Sequence, residues 1–133
     1  MAAATLALAV GLAVLVDHGA RNPVMVAVLL TEANQPAGII NTYRDGQAEL
    51  VPFARTQVPP GRAFEVWAIP GPNQNPISVG VVTEARSLRL NLQRVPNLAP
   101  NYLFAISVEP PQGPPTGLPT GPVLLKGTAV TAL

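Results

Sequence analysis

Short apolar runs alternate with turn residues along the chain from Val24 onwards. This spacing is typical of a domain built only from β-strands. We predict about eight strands that form an antiparallel β-sandwich or barrel, because the apolar faces of strands must be buried against one another. The predicted strands cover residues 24–30, 39–43, 48–53, 64–69, 77–83, 88–93, 102–108 and 122–130.

Two of these runs have distinctive patterns. Residues 64–69 are apolar on both faces apart from Glu65, which predicts a central strand. In residues 88–93 leucines alternate with polar residues, so we expect the leucines to face the core. Proline residues lie between the runs or at their ends, as the pairing of strands requires.

A hairpin is predicted between the second and third strands. Arg44-Asp45-Gly46-Gln47 separates them, and Asp-Gly between two strands favours a type I′ turn. That turn needs positive φ at both central residues, so we expect left-handed backbone conformations at Asp45 and Gly46.

The N-terminal residues form a separate apolar segment. Residues 2–16 are apolar except for Thr5, and Asp17 ends the run. As a helix the run would span roughly 22 Å, which is shorter than the ~30 Å hydrocarbon core of a membrane. Three interpretations of the run are open. It is either the outer part of a transmembrane helix whose beginning lies before Met1, or a signal-like anchor, or a soluble helix. We favour the first interpretation. The predicted organisation is a transmembrane helix at 1–17, a juxtamembrane linker at 18–23 and an extracytoplasmic β-sandwich domain at 24–133.

Composition and charge exclude several classes of protein. The chain has 133 residues, enough for one domain with a core, and its 11% of charged residues disfavours long solvated helices. The net charge of +1 comes without a basic cluster, so we expect no binding to nucleic acid. The absence of cysteine rules out disulfides, zinc ribbons and thiol nucleophiles.

No catalytic or metal-binding motif is recognisable in the sequence. His18 is the only histidine, and we interpret it as a solvated residue at the end of the apolar run. A catalytic triad or a histidine-based metal site therefore lacks its usual residues. We expect no enzymatic activity, no catalytic or metal-binding residue and no cofactor.

Two carboxylates, Glu65 and Glu109, are each embedded in an apolar run. Glu109 precedes Pro110, which favours an extended backbone at Glu109. An extended carboxylate at a strand end can accept hydrogen bonds from N–H groups of the loop that follows. We therefore predict a structural role for Glu109, and contact with a ligand or partner is the alternative.

Trp67 is the only tryptophan and lies midway along the predicted strand at 64–69. We expect it to pack in the core together with Phe64 and Val108. A platform on which a sugar stacks is the alternative interpretation of Trp67.

The segment between the last two predicted strands is rich in proline and glycine. It contains Pro-Thr-Gly twice, at 115–117 and at 119–121. A phosphate-binding loop is excluded, because the interleaved prolines lack N–H groups. We predict a rigid loop that lies across the domain and covers an edge, and a recognition strip for a proline-binding partner is the alternative.

Four stretches of the chain share their pattern with one known family. Residues 58–69 contain Pro-Pro-Gly followed by an apolar run with the tryptophan, and residues 76–81 contain Ser-Val-Gly-Val. Residues 105–110 end in Glu-Pro, and residues 119–122 read Pro-Thr-Gly-Pro. Together they resemble the C-terminal extracytoplasmic domain of anti-sigma-K factors (RskA-like), over about residues 58–127. The residues that carry this structural signature are Pro60, Gly61, Trp67, Gly80, Glu109, Pro110, Pro119, Thr120, Gly121 and Pro122.

The chain departs from the family pattern at three points. Gln112-Gly113 stands in place of Gly-Gly, Phe64 stands where tyrosine is common, and the Pro-Thr-Gly triplet is doubled. These departures concern the length and contacts of the loop rather than the strands. The family's cytoplasmic sigma-binding domain, often with a His/Cys zinc motif, has no counterpart in these residues.

The resemblance implies the extracytoplasmic regulatory domain of a membrane-anchored anti-sigma factor. Its location would be the cell membrane, crossed once, with the β domain periplasmic or extracellular. The implied partners are the cytoplasmic membrane, an envelope protease and, through the N-terminal domain that this chain lacks, a sigma factor. Regulated proteolysis near the membrane would release the sigma factor. The alternative is an extracytoplasmic β-sandwich module that binds a carbohydrate, a peptide or a cell-wall ligand.

Overall fold

The β domain is built from antiparallel strands, as predicted. The computed structural model of the protein describes residues 22–53, 57–83, 87–95 and 97–132. The predicted N-terminal helix at 1–17 lies outside these residues. Within them the chain forms no helix, and so none long and apolar enough to span a bilayer. The strands are β1 (Met25–Leu30), β2 (Pro36–Thr42), β3 (Ala48–Pro52), β4 (Ala63–Ile69), β5 (Ile77–Val82), β6 (Leu88–Leu90), β7 (Leu103–Glu109) and β8 (Val123–Thr131).

The eight strands belong to one sheet. Their order is β5-β4-β7-β8-β1-β2-β3-β6, and each neighbouring pair is antiparallel. The two outermost strands, β5 and β6, approach each other, and the N–H of Asn91 donates a 2.8 Å hydrogen bond to the carbonyl of Val79. The sheet therefore curls into a nearly closed barrel, which leaves little unpaired strand edge exposed.

The predicted strands are confirmed, with shifts of more than one residue at two ends. β2 starts at Pro36 rather than at residue 39, because Pro36 pairs with Leu30 across a register shift in β1. β6 ends at Leu90 rather than at residue 93. There the side chain of Asn91 accepts a hydrogen bond from the N–H of Gln93, and this turn ends the strand. The predicted central strand is β4, which pairs with both β5 and β7.

The hairpin between β2 and β3 is confirmed, but the predicted turn type is wrong. Gly46 has a φ of 83°, whereas Asp45 has no positive φ. The N–H of Gly46 bonds to the carbonyl of Tyr43 at 3.0 Å, and the N–H of Tyr43 bonds to the carbonyl of Gln47 at 2.8 Å. These bonds enclose a three-residue loop with one left-handed glycine. The carboxylate of Asp45 accepts the N–H of Gln47 at 3.1 Å and supports this turn instead of the type I′ turn.

The hydrophobic core fills the interior of the barrel. Alternate residues of β4 and β7 point inward, so that Phe64, Val66, Phe104 and Ile106 all belong to one buried cluster. Phe64 is buried as predicted, and Val108 is half-buried against the same cluster. The three leucines of residues 88–93 also pack in or against this cluster, as their alternation predicted.

The two ends of the barrel contain different parts of the chain. β1 starts at the end that we call the near end, which also carries the hairpin loop between β2 and β3. Because neighbouring strands are antiparallel, β1, β3, β5 and β7 all finish at the opposite, far end. The proline-rich connection from β7 to β8 therefore leaves the barrel at the far end.

Candidate functional site

Buried polar side chains gather on the outer face of β4 and β7. Residues that pair directly across an antiparallel sheet point to the same face, and the alternate residues of both strands fill the barrel interior. Six residues therefore lie on the outside of the barrel and are nevertheless buried. We call them the covered face, which consists of the cross-strand pairs Ala63 with Glu109, Glu65 with Ser107, and Trp67 with Ala105.

Glu109 binds the end of the segment that connects β7 to β8. Its Oε1 accepts hydrogen bonds from the hydroxyl of Thr120 at 2.7 Å and from the N–H of Thr120 at 3.1 Å. Its Oε2 accepts the N–H of Gly121 at 3.1 Å and the hydroxyl of Ser107 at 2.5 Å. The prediction that this carboxylate accepts N–H groups of the loop that follows it is confirmed.

The protein keeps the buried carboxyl group of Glu109 in its ionised form. Burial is the largest single influence on the pKa of Glu109, and it raises that pKa. The hydrogen bonds from Ser107, Thr120 and Gly121 act in the opposite direction, because each of them stabilises the charged form. Together they hold the pKa of Glu109 below its ordinary value, so the carboxylate is charged at neutral pH.

Trp67 belongs to the same network. Its Nε1–H donates to Oγ of Ser107 at 2.9 Å, and the Ser107 hydroxyl donates in turn to Glu109. The ring is 1% exposed, so the prediction that Trp67 is buried is confirmed. It lies on the covered face, however, and not in the cluster that fills the barrel interior. A buried indole N–H needs an acceptor, and Ser107 supplies one only on this face.

Glu65 is the second buried carboxylate of the covered face. Its Oε1 accepts a hydrogen bond from the Ser78 hydroxyl at 2.7 Å, whereas its buried Oε2 has no hydrogen-bond partner among the described residues. Gly113 lies next to Oε1, since a β-carbon built on this glycine would be 4.0 Å from that oxygen. The first part of the β7–β8 segment thus passes over Glu65, just as its end passes over Glu109.

The loop prediction is therefore confirmed in part. Segment 110–122 lies on the domain, but it covers a sheet face rather than an edge. The strand from which it leaves, β7, is paired on both sides, with β4 and with β8. The side chain of Glu109 points to the outer face, so the donors that satisfy its carboxylate must approach from that side.

The two Pro-Thr-Gly triplets have different environments. In the second triplet, the threonine and the glycine bind Glu109. In the first triplet, Thr116 and Gly117 are exposed, and the N–H of Gly117 closes a turn onto the carbonyl of Pro114 at 3.1 Å. The second triplet anchors the segment and the first only turns it, so the repeat in sequence is not a repeat in role.

Two glycines of the predicted signature have steric roles. A β-carbon on Gly121 would lie 1.7 Å from the carbonyl oxygen of Val108, so only glycine fits against β7 at this position. A β-carbon on Gly80 would lie 2.9 Å from a methyl group of Leu90. The absence of a side chain at Gly80 therefore lets β6 approach β5 where the barrel closes.

The remaining residues of the signature lie in turns. Pro60 and Gly61 form the turn before β4, where Gly61 has a φ of 70°. The carbonyl of Pro110 accepts an N–H in the first turn of the β7–β8 segment at 2.8 Å, and that of Pro122 accepts an N–H of β7 at 3.1 Å. Pro119 is half-buried and directly precedes the threonine that binds Glu109. The structure thus brings the signature residues from Glu109 onwards together around the Glu109 carboxylate.

Two features of this chain resemble those of a known family. They are β4, which carries the buried Trp67, and the anchored segment 110–122. The model of the family described as "Anti-sigma-K factor rskA, C-terminal" matches residues 1–123. The chain belongs to this family. The resemblance seen at residues 58–127 is thereby confirmed up to residue 123, and the match extends to the apolar run at 2–16 and to the first strands. Searches of curated proteins and of solved structures found no match.

The sequence alone did not reveal every member of the network in this domain. Ser107 links Trp67 to Glu109, and Ser78 binds Glu65, but neither serine was singled out. A signal was present for Ser107, because it stands two residues before Glu109 and so shares its face in a strand. Ser78 could be found only after the pairing of β4 with β5 was known.

The chemistry of the covered face is that of a structural anchor. Both oxygens of Glu109 are bonded to donors of the protein itself. Among the described residues, no group of three or more histidine, aspartate or glutamate side chains could hold a metal ion. His18 lies outside these residues. What the arrangement does is hold segment 110–122 onto the barrel.

Proposed function

We propose that this chain is the extracytoplasmic regulatory domain of a membrane-anchored anti-sigma factor, and that it controls the release of a sigma factor through regulated proteolysis. The observation that carries the proposal is the family match, which spans both the apolar run at 2–16 and the barrel up to the start of β8. An apolar run next to a folded domain can serve as its membrane anchor. The sigma factor would bind a part of the protein outside these 133 residues.

The connection between the apolar run and the barrel is short. Val24 is already held by the sheet, since its N–H bonds to the carbonyl of Thr42 at 2.7 Å and its carbonyl accepts the N–H of Ala132 at 3.0 Å. The proposed linker at 18–23 reaches at most roughly 20 Å when fully extended. In the proposed arrangement the near end of the barrel faces the membrane, and the folded barrel leaves a protease little accessible chain.

Unfolding of the barrel would lengthen the accessible chain. Proteolysis occurs preferentially at exposed and poorly ordered segments. Loss of β1 alone would add residues 24–30 to the linker, because β1 is the first strand after it. In this proposal the stability of the barrel is the regulated quantity, because it sets how readily an envelope protease cleaves the chain. The barrel itself has no catalytic role.

The second candidate function is an extracytoplasmic module that binds a carbohydrate, a peptide or a cell-wall ligand. A carbohydrate platform requires exposed aromatic rings, but Trp67 is 1% exposed and Tyr102 is 7% exposed. This burial argues against stacking of a sugar on either ring.

The proposed location can be tested with reporters fused after the last residue of the chain. Alkaline phosphatase at that position is expected to be active, because it folds only outside the cytoplasm. The matched control deletes residues 2–16, and phosphatase activity is then expected to be lost. Activity that persists after the deletion would refute anchoring by the apolar run, and an inactive phosphatase on the intact chain would refute the location.

The proposed proteolysis can be tested by following a C-terminal tag on the protein in its host bacterium. We expect a fragment whose N-terminus maps to the linker at 18–23 and whose amount rises in the Trp67→Ala variant. Val130→Ala is the matched control, because Val130 is 56% exposed and its removal leaves the core intact. Equal amounts of fragment in the two variants would contradict control of cleavage by barrel stability.

A further inference from the structure

The far end of the barrel contains a cavity of about 570 Å³. Its floor is formed by side chains of the barrel core, among them Leu50, Phe64, Val82 and Ile106. Its wall includes the first residues of β8, and its rim includes the loop between β1 and β2. A volume between about 300 and 1,000 Å³ is typical of sites that bind small molecules.

The cavity exists because two neighbouring strands differ in length at this end. The last pair between β1 and β8 is Leu30 with Lys126, so Val123, Leu124 and Leu125 extend beyond the end of β1. All three of these β8 residues line the cavity. The barrel is therefore open at its far end, and the apolar core is accessible there.

Exposed apolar side chains form part of the cavity mouth, since Val123 and Leu124 both line the cavity and are exposed. Two more exposed apolar residues, Phe53 and Val81, lie at the same end of the barrel by their positions at the ends of β3 and β5. An exposed apolar rim around an apolar cavity marks a site for an apolar ligand, because both would lose contact with water when the ligand binds.

We infer that the far-end cavity binds the alkyl chain of a small amphiphile whose head group is cationic. The described residues that line the cavity include no lysine, arginine or histidine, so this part of the lining holds no positive partner for an anionic head group. Glu32 is their only charged member, and it is an exposed residue of the β1–β2 loop at the rim. A cationic head at the rim would lie near this carboxylate while the chain occupies the cavity. The inference does not depend on the proposed role in sigma-factor release.

Binding can be measured by methyl NMR on the full chain in lipid nanodiscs. The probes are octyltrimethylammonium and octanoate, which carry similar chains and opposite charges. We expect saturable shifts at the methyl groups of Val123, Leu124 and Leu125 and none at Val130, which lies at the other end of β8. The dissociation constant for octanoate is expected to be about five-fold higher, since one screened charge contact at the rim contributes about 1 kcal/mol.

Three tryptophan variants separate cavity binding from general partitioning, and a fourth variant tests the preference for a cation. Leu124→Trp narrows the mouth and is expected to abolish the saturable shifts, whereas Val130→Trp, on the same strand but away from the cavity, should leave them unchanged. Val123→Trp repeats the test at a second exposed rim position. Glu32→Gln should remove the preference for the cation without abolishing binding.

Three results would overturn the inference. Shifts of equal size at Val130 and in the cavity would mean that the probe only partitions into the nanodisc. Unchanged binding in both Leu124→Trp and Val123→Trp would place the ligand elsewhere. Binding of octanoate as tight as that of octyltrimethylammonium would refute the cationic class of ligand.

Discussion

Glu109 shows how a single side chain organises the outer face of this barrel. An isolated carboxylate would be costly to bury, but four donors from Ser107, Thr120 and Gly121 meet its oxygens. Three of the four donors belong to Thr120 and Gly121, near the C-terminal end of the segment that follows β7. The carboxylate is therefore fully satisfied only when segment 110–122 is in place, and its charge strengthens the hydrogen bonds that help to hold the segment.

The charge of Glu109 gives the domain a specific dependence on pH. Because the folded protein lowers its pKa, Glu109 binds its proton more weakly in the folded state than in the unfolded state. Its contribution to stability is complete above the ordinary carboxyl pKa of about 4.3, and it is lost as the pH falls through the lowered folded pKa. Glu109→Gln is expected to cost about 3 kcal/mol at neutral pH.

This prediction is checked by urea unfolding followed through the fluorescence of Trp67, between pH 7 and acidic pH. The difference in unfolding free energy between the unmodified chain and Glu109→Gln should shrink below the ordinary carboxyl pKa. The exposed Glu32→Gln serves as the control for removal of a charge. A difference that does not change with pH would show that the charge of Glu109 is not what stabilises the segment.

Gly121 and Gly117 provide a matched pair of substitutions in the two triplets. Gly121→Ala places a methyl group against the carbonyl of Val108, which must move, so we expect a loss of about 3 kcal/mol. Gly117 has a φ of 72° and open space around it, so Gly117→Ala should cost only about 1 kcal/mol of backbone strain. Urea unfolding of both variants measures the difference, and equal losses would contradict the close contact of Gly121 with β7.

At the scale of elements, the positions of the strands could be predicted from the sequence, but the type of turn and the loop that covers the outer face of β4 and β7 could not. Periodicity located all eight strands because each must hide an apolar face, and the Asp-Gly pair located the hairpin. The turn type was wrong because the side chain of Asp45 stabilises a three-residue loop that the dipeptide alone does not reveal. The covered face was missed because alternation separates the two faces of a strand but does not say which loop covers the outer one. Glu109 was interpretable because the proline after it restricts the local backbone.

Substitutions of Trp67 test how much the covered face contributes to the stability of the barrel. Trp67→Ala removes a fully buried ring and should cost roughly 3–5 kcal/mol. Trp67→Phe keeps most of the apolar contact but loses the donor to Ser107, so we expect a smaller cost of about 1 kcal/mol. Circular dichroism at increasing temperature measures both variants, with Val130→Ala as the exposed control. A melting temperature that is unchanged in Trp67→Ala would refute the burial of this ring.

At the scale of the whole molecule, the barrel separates two ends with different properties. The chain enters at the near end, where Val24 is bound into the sheet, and the apolar cavity opens at the far end. The anchored segment 110–122 lies on the side wall between them and connects β7 to β8. Because β8 pairs directly with β1, a loss of the segment's anchor would weaken the strand that holds the first strand in place.

We propose that the stability of the barrel controls release of the sigma factor. The most direct test measures sigma-dependent transcription in the host bacterium for the complete protein carrying Gly117→Ala, Gly121→Ala or Trp67→Ala. We predict that transcription rises in the order in which the variants lose unfolding free energy, and that the rise disappears in a strain without the envelope protease. Transcription in Gly121→Ala and Trp67→Ala that equals that of the unmodified protein, despite a destabilised barrel, would contradict the claim.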